Sequence, residues 1–158
     1  DEQNVLFCAG RDVQELPMAD ELLLPYDIWT NRAHCIMLER QGLIPTTSLA
    51  KILTGLSQLE KLVATGEFSL DPDKEDVHIN VEAFVTEKQG ADAGGRMHIG
   101  RSRNDQSACD MRLYLRSVGL TLFDSVKNLA DSLLAQAEEH TESVMPGFTH
   151  YQPAMVTT

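Results

Sequence analysis

Apolar residues recur at intervals of three and four along nearly the whole chain beyond residue 18. Nowhere is there a sustained alternation bounded by hairpin turns. From about Asp20 to Gln41, Leu24, Ile28, Ala33, Ile36 and Met37 predict a helix, with Pro25 delaying its start or kinking it and Gly42 stopping it. "GLIP" reads as a turn. Thr47 or Ser48 can then cap a second helix carrying Leu49, Ile52, Leu53, Leu56, Leu59 and Val63 on one face, ended by Gly66. "SLDPDKED" is a loop with an Asp-Pro turn signal. A third helix is expected over about Lys74 to Lys88, with Val77, Val81, Phe84 and Val85 inward and Gly90 closing it. The first 17 residues, up to Pro17, read as an extended arm.

The longest periodic stretch runs from Ser102 to about His140 without a proline and with Gly119 as its one glycine. Ala108, Met111, Leu115, Val118, Leu122, Val126, Leu129, Leu133 and Ala137 form one stripe; Leu113, Leu120, Phe123, Ala130 and Leu134 widen it. A helix of that length would be roughly 57 Å long. An apolar surface so wide needs neighbours on two sides, as an inner rod of a bundle has. Few such partners are in the chain, so the expectation is an oligomer, further polypeptide beyond Thr158, or both. The closing stretch "VMPGFTHYQPAMVTT", with Pro146, Gly147 and Pro153, reads as a loop. The fold class expected is all-α: a small N-terminal helical domain with its arm over residues 1–90, then the start of a central helix bundle over 91–158.

Charge changes the picture. The 158 residues carry a formal net charge of −11, which repels nucleic acid and membrane phosphate at long range. Residues 96–116 reverse the sign locally, with Arg96, Arg101, Arg103, Arg112 and Arg116 against Asp105 and Asp110. The three cysteines, Cys8, Cys35 and Cys109, have no metal spacing and read as free thiols in a reducing cytosol. No apolar run approaches the ~18 residues of a membrane span, so neither membrane nor nucleic acid is an expected partner and a cytoplasmic location is expected.

Two loops carry candidate chemistry. In "GGRMHIGRSRNDQ", Ser102-Arg103-Asn104-Asp105 fits the capping pattern that opens a helix, and Gly94, Gly95 and Gly100 allow tight turns and a close backbone approach. Helix-start N–H groups, their partial positive charge and the arginines together make a carboxylate site. The plainer alternative is a well-capped helix with a solvated basic rim. His150, flanked by Thr149 in "PGFTHYQPA", is the natural acid/base candidate, against the alternative of a loop histidine bonded to backbone. His78 and Glu82 stand four apart on a helix face, a spacing that suits an ion pair more often than a metal. With no third ligand evident, no metal is expected.

These segments carry a resemblance. "GGRMHIGRSRNDQ" and "VMPGFTHYQPA" resemble two segments of the argininosuccinate lyase family, within the fumarase/aspartase superfamily. "LPYDIWTNRAHCIMLERQGLI" and "EDVHINVEAFVTEKQG" resemble its upstream segments. The resemblance implies an all-α subunit whose central helices pool in a homotetramer, with active sites assembled from several subunits. It implies a reversible C–N elimination of argininosuccinate to arginine and fumarate through an aci-carboxylate, in arginine biosynthesis, without cofactor or metal. By position, Asn104 would bind substrate with Arg103 and Ser102 beside it. Thr149 would hydrogen-bond a substrate carboxylate, His150 would be the acid/base residue or its orienting partner, and His78 would line the site.

Two departures stand out. Where the family usually has Gly-Ser, this chain has Thr30-Asn31, so Asn31 would take the place of a serine that touches substrate. The family's third segment, a flexible loop with the catalytic serine, would lie beyond Thr158, so the chain by itself would be inactive. The alternatives are a related lyase acting on another N-substituted aspartate, or a non-catalytic structural homologue of the δ-crystallin type.

Overall fold

A computed structural model describes residues 17–158; the arm expected over residues 1–17 lies, apart from Pro17, outside the described residues. The expected helices are present. A 3₁₀ turn, Ala19–Leu23, leads into α1, Leu24–Arg40, with Pro25 in its first turn where a missing N–H costs nothing. Helix α2 spans Thr46–Thr65 and ends on Gly66, whose φ of +72° is the left-handed conformation that stops a helix. A short 3₁₀ turn, Pro72–Lys74, precedes α3, Val77–Gln89. Then come the single turn α4, Ala91–Gly94, and the long α5, Arg103–Glu139.

The chain divides into two compact units, Asp1–Leu115 and Arg116–Thr158. In the first, α1, α2 and α3 pack on one another around Ile28, Leu38, Ile52, Leu56, Leu59, Val77, Val81 and Val85. The faces expected for α2 and α3 are the buried ones. The expected face of α1 is only partly right, because Ala33 and Met37 are exposed. Its buried stripe is Leu24, Asp27, Ile28, Asn31, Cys35 and Leu38. Two polar residues sit in phase with the apolar ones, and counting apolar residues alone rotates the face away from them.

The caps differ too. Pro45, not Thr47 or Ser48, occupies the N-cap of α2; Ser48 is buried and donates instead to Asp92 Oδ2 at 3.0 Å. Helix α3 starts three residues later than expected, at Val77. There Asp76 Oδ1 accepts from Ile79 N and Asp20 Oδ2 accepts from Val77 N, each at 2.7 Å. Two carboxylates satisfy helix-start donors and favour its partial positive charge. Gly94 permits a close approach, but to protein rather than ligand: a Cβ there would lie 1.8 Å from Thr86 Oγ1 on α3.

In the second unit, the part of α5 from Arg116 to Glu139 is exposed on all sides, including Leu120, Leu122, Phe123, Leu129 and Leu133. The segment read as a loop is a β-hairpin, β1 (Met145–Thr149) paired antiparallel with β2 (Gln152–Thr157). Pro146 and Pro153 disguise it. In a two-stranded ribbon both strands are edges, where a residue without an N–H is tolerated, and the register shift at Gly147 is a bulge.

Leu56 is fully buried where the three helices meet. Leu56→Ala should lower the unfolding free energy by about 2–5 kcal/mol. Denaturant titration checks this; a loss below about 1 kcal/mol would mean the helices close over the gap.

Candidate active site

The site of the first unit grows from the polar residues on the inner stripe of α1. Asp27 is 0% exposed. Its Oδ2 accepts from Asn31 Nδ2 at 2.8 Å, one helical turn on. Its Oδ1 accepts from His78 Nδ1 at 2.8 Å and from Gln106 Nε2. His78 reaches it because Asp76 and Asp20 fix the first turn of α3. On the other side of the ring, Ser107 Oγ lies 2.8 Å from Nε2. Asp110, also 0% exposed, accepts the Thr30 hydroxyl on Oδ1 at 2.8 Å, and its Oδ2 stands 3.8 Å from His78 Nδ1. Helices α1, α3 and the start of α5 are thus joined by one buried polar network.

The loop arginines are drawn into the same structure. Arg101 Nη2 donates to Asn31 Oδ1. Arg103 Nη1 donates to both oxygens of Asp76, at 2.9 and 2.7 Å, so the start of α5 clamps the cap of α3. Arg96 pairs with Asp92 at 2.8 Å. Within the expected basic patch, all three loop arginines have protein partners. Ser102 does cap α5, its Oγ accepting from Asn104 N at 3.2 Å while Ser102 N donates to Asp105 Oδ2 at 3.3 Å.

Burial and charge shift the network's protonation. Burial pulls the His78 imidazole down, but the Asp27 bond and the charges of Asp27, Asp76 and Asp110 outweigh it and hold it above its ordinary value. Burial raises the Asp110 carboxyl to about 7, reinforced by the neighbouring Asp27 and opposed by the Thr30 bond and His78. Burial also pushes the Cys35 thiol to about 11, leaving it inert.

Of the residues singled out in the sequence, Asn31, His78 and Arg103 come together around a narrow recess of about 10 Å³, room for roughly one water. Glu82, Met97, His98, Arg101 and Gln106 complete its walls. Asn31, expected to touch substrate in place of a serine, is 2% exposed and has its amide engaged on both sides by Asp27 and Arg101. The His78–Glu82 pairing suggested by spacing is replaced by His78–Asp27. Asn104 is exposed in the first turn of α5. Thr149 and His150 belong to the second unit, at the exposed tip of its hairpin. There His150 (φ +47°) and Tyr151 (φ +61°) form the two-residue turn, a conformation disfavoured for residues with a Cβ.

Sequence reading missed Asp27, Asp110, Gln106 and Ser107. The available signal was phase: Asp27 falls in register with Leu24, Ile28 and Leu38. Asp27, His78 and Asp110 bring ligand atoms within 4.8 Å of one another, the metal-binding geometry found among the described residues. Asp27 already accepts three side-chain donors and His78 is bonded through both nitrogens, so two of the three members are committed to hydrogen bonds, and Asp110 Oδ2 is the oxygen left without a partner among the described residues.

Comparison with known proteins places this geometry in context. A family described as lyase matches residues 19–158. The argininosuccinate lyase of Citrifermentans bemidjiense is 44% identical over 135 residues, covering 85% of this chain and 29% of that protein. That of Thiobacillus denitrificans is 45% identical over 139 residues, covering 88% of this chain and 30% of the relative. That of Methanosarcina barkeri is 44% identical over 140 residues, with 89% and 28% covered. The chain spans somewhat under a third of the length of these relatives.

The two asparagines should behave oppositely in stability. Asn31→Leu leaves a buried carboxylate and a guanidinium each short of a partner and should cost at least about 1–3 kcal/mol. Asn104→Leu, on the surface, should stay within about 0.5 kcal/mol. Chemical unfolding of both variants decides; equal losses would remove the network from its structural role.

Proposed function

This chain belongs to the lyase family that matches its residues 19–158, and from that membership we propose that it is part of an argininosuccinate lyase, residues 91–158 opening the central bundle domain. The observation that carries the reading is the ~44% identity to argininosuccinate lyases across most of the chain, beside a family match whose span, residues 19–158, includes both loops. The activity is the reversible C–N cleavage of argininosuccinate to arginine and fumarate, serving arginine biosynthesis in the cytoplasm. No described helix is long and apolar enough to cross a membrane.

The chemistry asks for two things. A base must remove a proton from the carbon beside a carboxylate, and preorganised donors must hold the charge that collects on that carboxylate before the guanidinium nitrogen leaves. His150 is the acid/base group or the residue that orients it; Thr149 donates to a substrate carboxylate. Asn104, exposed in the first turn of a 37-residue helix, presents an amide donor beside helix-start charge. Ser102 holds that turn, Arg103 orients it through Asp76, and His78 lies behind it.

Thr30 and Asn31 are turned toward Asp110, Asp27 and Arg101, which supports the reading that this departure from the family rebuilds the buried network. Cleavage of another N-substituted aspartate is the second reading, and Asn31 is its motive. A homotetramer accounts for the apolar surface of α5, where Leu120, Leu122 and Phe123 are each more than 60% exposed. In the full-length protein, Phe123→Asp should break the assembly into smaller species in sedimentation; an intact assembly would place the contact elsewhere.

The decisive assay is fumarate release from argininosuccinate by the full-length protein. His150→Asn should lower kcat by about 10²–10⁴-fold with unchanged circular dichroism. Undiminished turnover would exclude His150 from the mechanism. Turnover only of a different N-substituted aspartate would establish the second reading, and turnover of neither substrate would favour a structural protein.

A further inference from the structure

Asp27 and Asp110 come from α1 and α5, are both 0% exposed, and bring carboxylate oxygens within 4.8 Å of each other and of His78. Three of their four oxygens have clear roles. Asp27 Oδ1 accepts from His78 and Gln106, Asp27 Oδ2 from Asn31, and Asp110 Oδ1 from Thr30. The fourth, Asp110 Oδ2, is buried and has no hydrogen-bond partner among the described residues. An anionic oxygen left unpaired in the interior, beside a second carboxylate, is among the costliest arrangements a protein can hold.

We propose that Asp110 carries a proton on Oδ2 and donates it toward the Asp27 carboxylate, making the pair the positioning device of His78. The pair then presents one negative charge to the imidazolium, and the orphan acceptor becomes a donor, the two carboxylates bringing oxygens within 4.8 Å of each other. Nδ1–H of His78 has a single anionic acceptor, Asp27 at 2.8 Å, while Nε2 stays on Ser107 at 2.8 Å. The ring is thereby fixed along the recess that it shares with Asn31 and Arg103. If Asp110 ionises, its Oδ2, 3.8 Å from Nδ1, competes with Asp27 for the same proton and the ring loses its unique orientation. Neither aspartate touches substrate. The functional consequence rests on the reading of His78 as lining the site of a lyase.

Other charged groups set the background. Asp20 faces His78 from the 3₁₀ turn before α1 and Asp76 from the cap of α3, while Arg101 on the loop, with Glu82 of α3 near it, faces Asp27 and Asp110. The carboxyl of Asp110, raised by burial and by Asp27 to about 7 from an ordinary 3.8, agrees with a retained proton near neutrality. The sign follows: between about pH 4 and pH 7 the folded state holds a proton that the unfolded state has lost, so stability falls as pH rises. His78, raised above 6.5, extends the decline upward. The carboxylates held below their ordinary values, Glu60, Asp71, Glu87 and Asp92, act in the opposite sense only below about pH 4.5; His34, held below its ordinary 6.5 chiefly by burial, opposes the decline up to about pH 6.5, and Asp20, raised by burial, adds to it.

The test uses the full-length protein with Asp110→Asn and Asp110→Ala. Asparagine reproduces a neutral carboxyl: its oxygen accepts from Thr30 and its amide donates to Asp27. Thermal melts from about pH 5 to about pH 8.5 should show the wild-type Tm falling with pH and the Asp110→Asn Tm falling less, to equal or exceed wild type at the alkaline end. Asp110→Ala should melt below both throughout. For argininosuccinate, the alkaline loss of kcat/KM should move upward by about one pH unit or more in Asp110→Asn, a shift that a purely structural role would not produce. The proposal is overturned if Asp110→Asn is as damaging as Asp110→Ala at about pH 6, or if its Tm keeps the wild-type dependence on pH. It is overturned in its positioning role if the melts behave as stated and the kcat/KM profile does not move. If wild type cleaves no argininosuccinate, the functional reading fails, and the melts alone still decide where the proton lies.

Discussion

The hydrogen bond from His78 to Asp27 is the contact around which the first unit is organised. It joins the first turn of α3 to the middle of α1, and both residues are almost wholly removed from water. A buried carboxylate is tolerated only when its oxygens are saturated with donors. Asn31, Gln106 and His78 do this, and each comes from a different helix or turn. The demand for saturation fixes the register of the start of α5 against α1 and α3 more tightly than apolar contact alone, because hydrophobic packing is non-directional and hydrogen bonds are not.

The basic loop follows from that constraint. Its arginines act first as ties: Arg101 to Asn31, Arg103 to the carboxylate that caps α3, Arg96 to Asp92. An acidic chain concentrates positive charge here because the elements to be joined present aspartates. What the ties leave facing outward is small, chiefly the first turn of α5 with Asn104. On the proposed reading, a ligand at this turn would be met by a few rigid donors rather than a diffuse field, which suits chemistry in which charge moves onto one carboxylate.

The second unit obeys a different rule. Its helix carries large apolar side chains at helical spacing that stay exposed among the described residues, and its hairpin places His150 on a strained, exposed turn. Neither feature is explained by the internal stability of the unit, and both are usual where a surface awaits other polypeptide.

Helix positions, the inward faces of α2 and α3, the cap at Ser102 and the family were all legible in the residues themselves. They depend on local periodicity, on single-residue conformational preferences and on two loop motifs, all of which the linear order carries. Three things were not. The inner face of α1 was misplaced because Asp27 and Asn31 count as polar in a pattern, and only their partners from α3 and α5, about 50 to 80 residues away, make them interior. The hairpin was hidden because Pro146 and Pro153 argue against strands until it is known that both strands are edges. The partners of the arginines were not seen because Asn31 and Asp76 lie 70 and 27 residues from Arg101 and Arg103, and Asp92, four residues before Arg96, falls just outside the basic stretch. In each case a polar group's meaning depends on which donor or acceptor meets it, and the chain settles that only by folding.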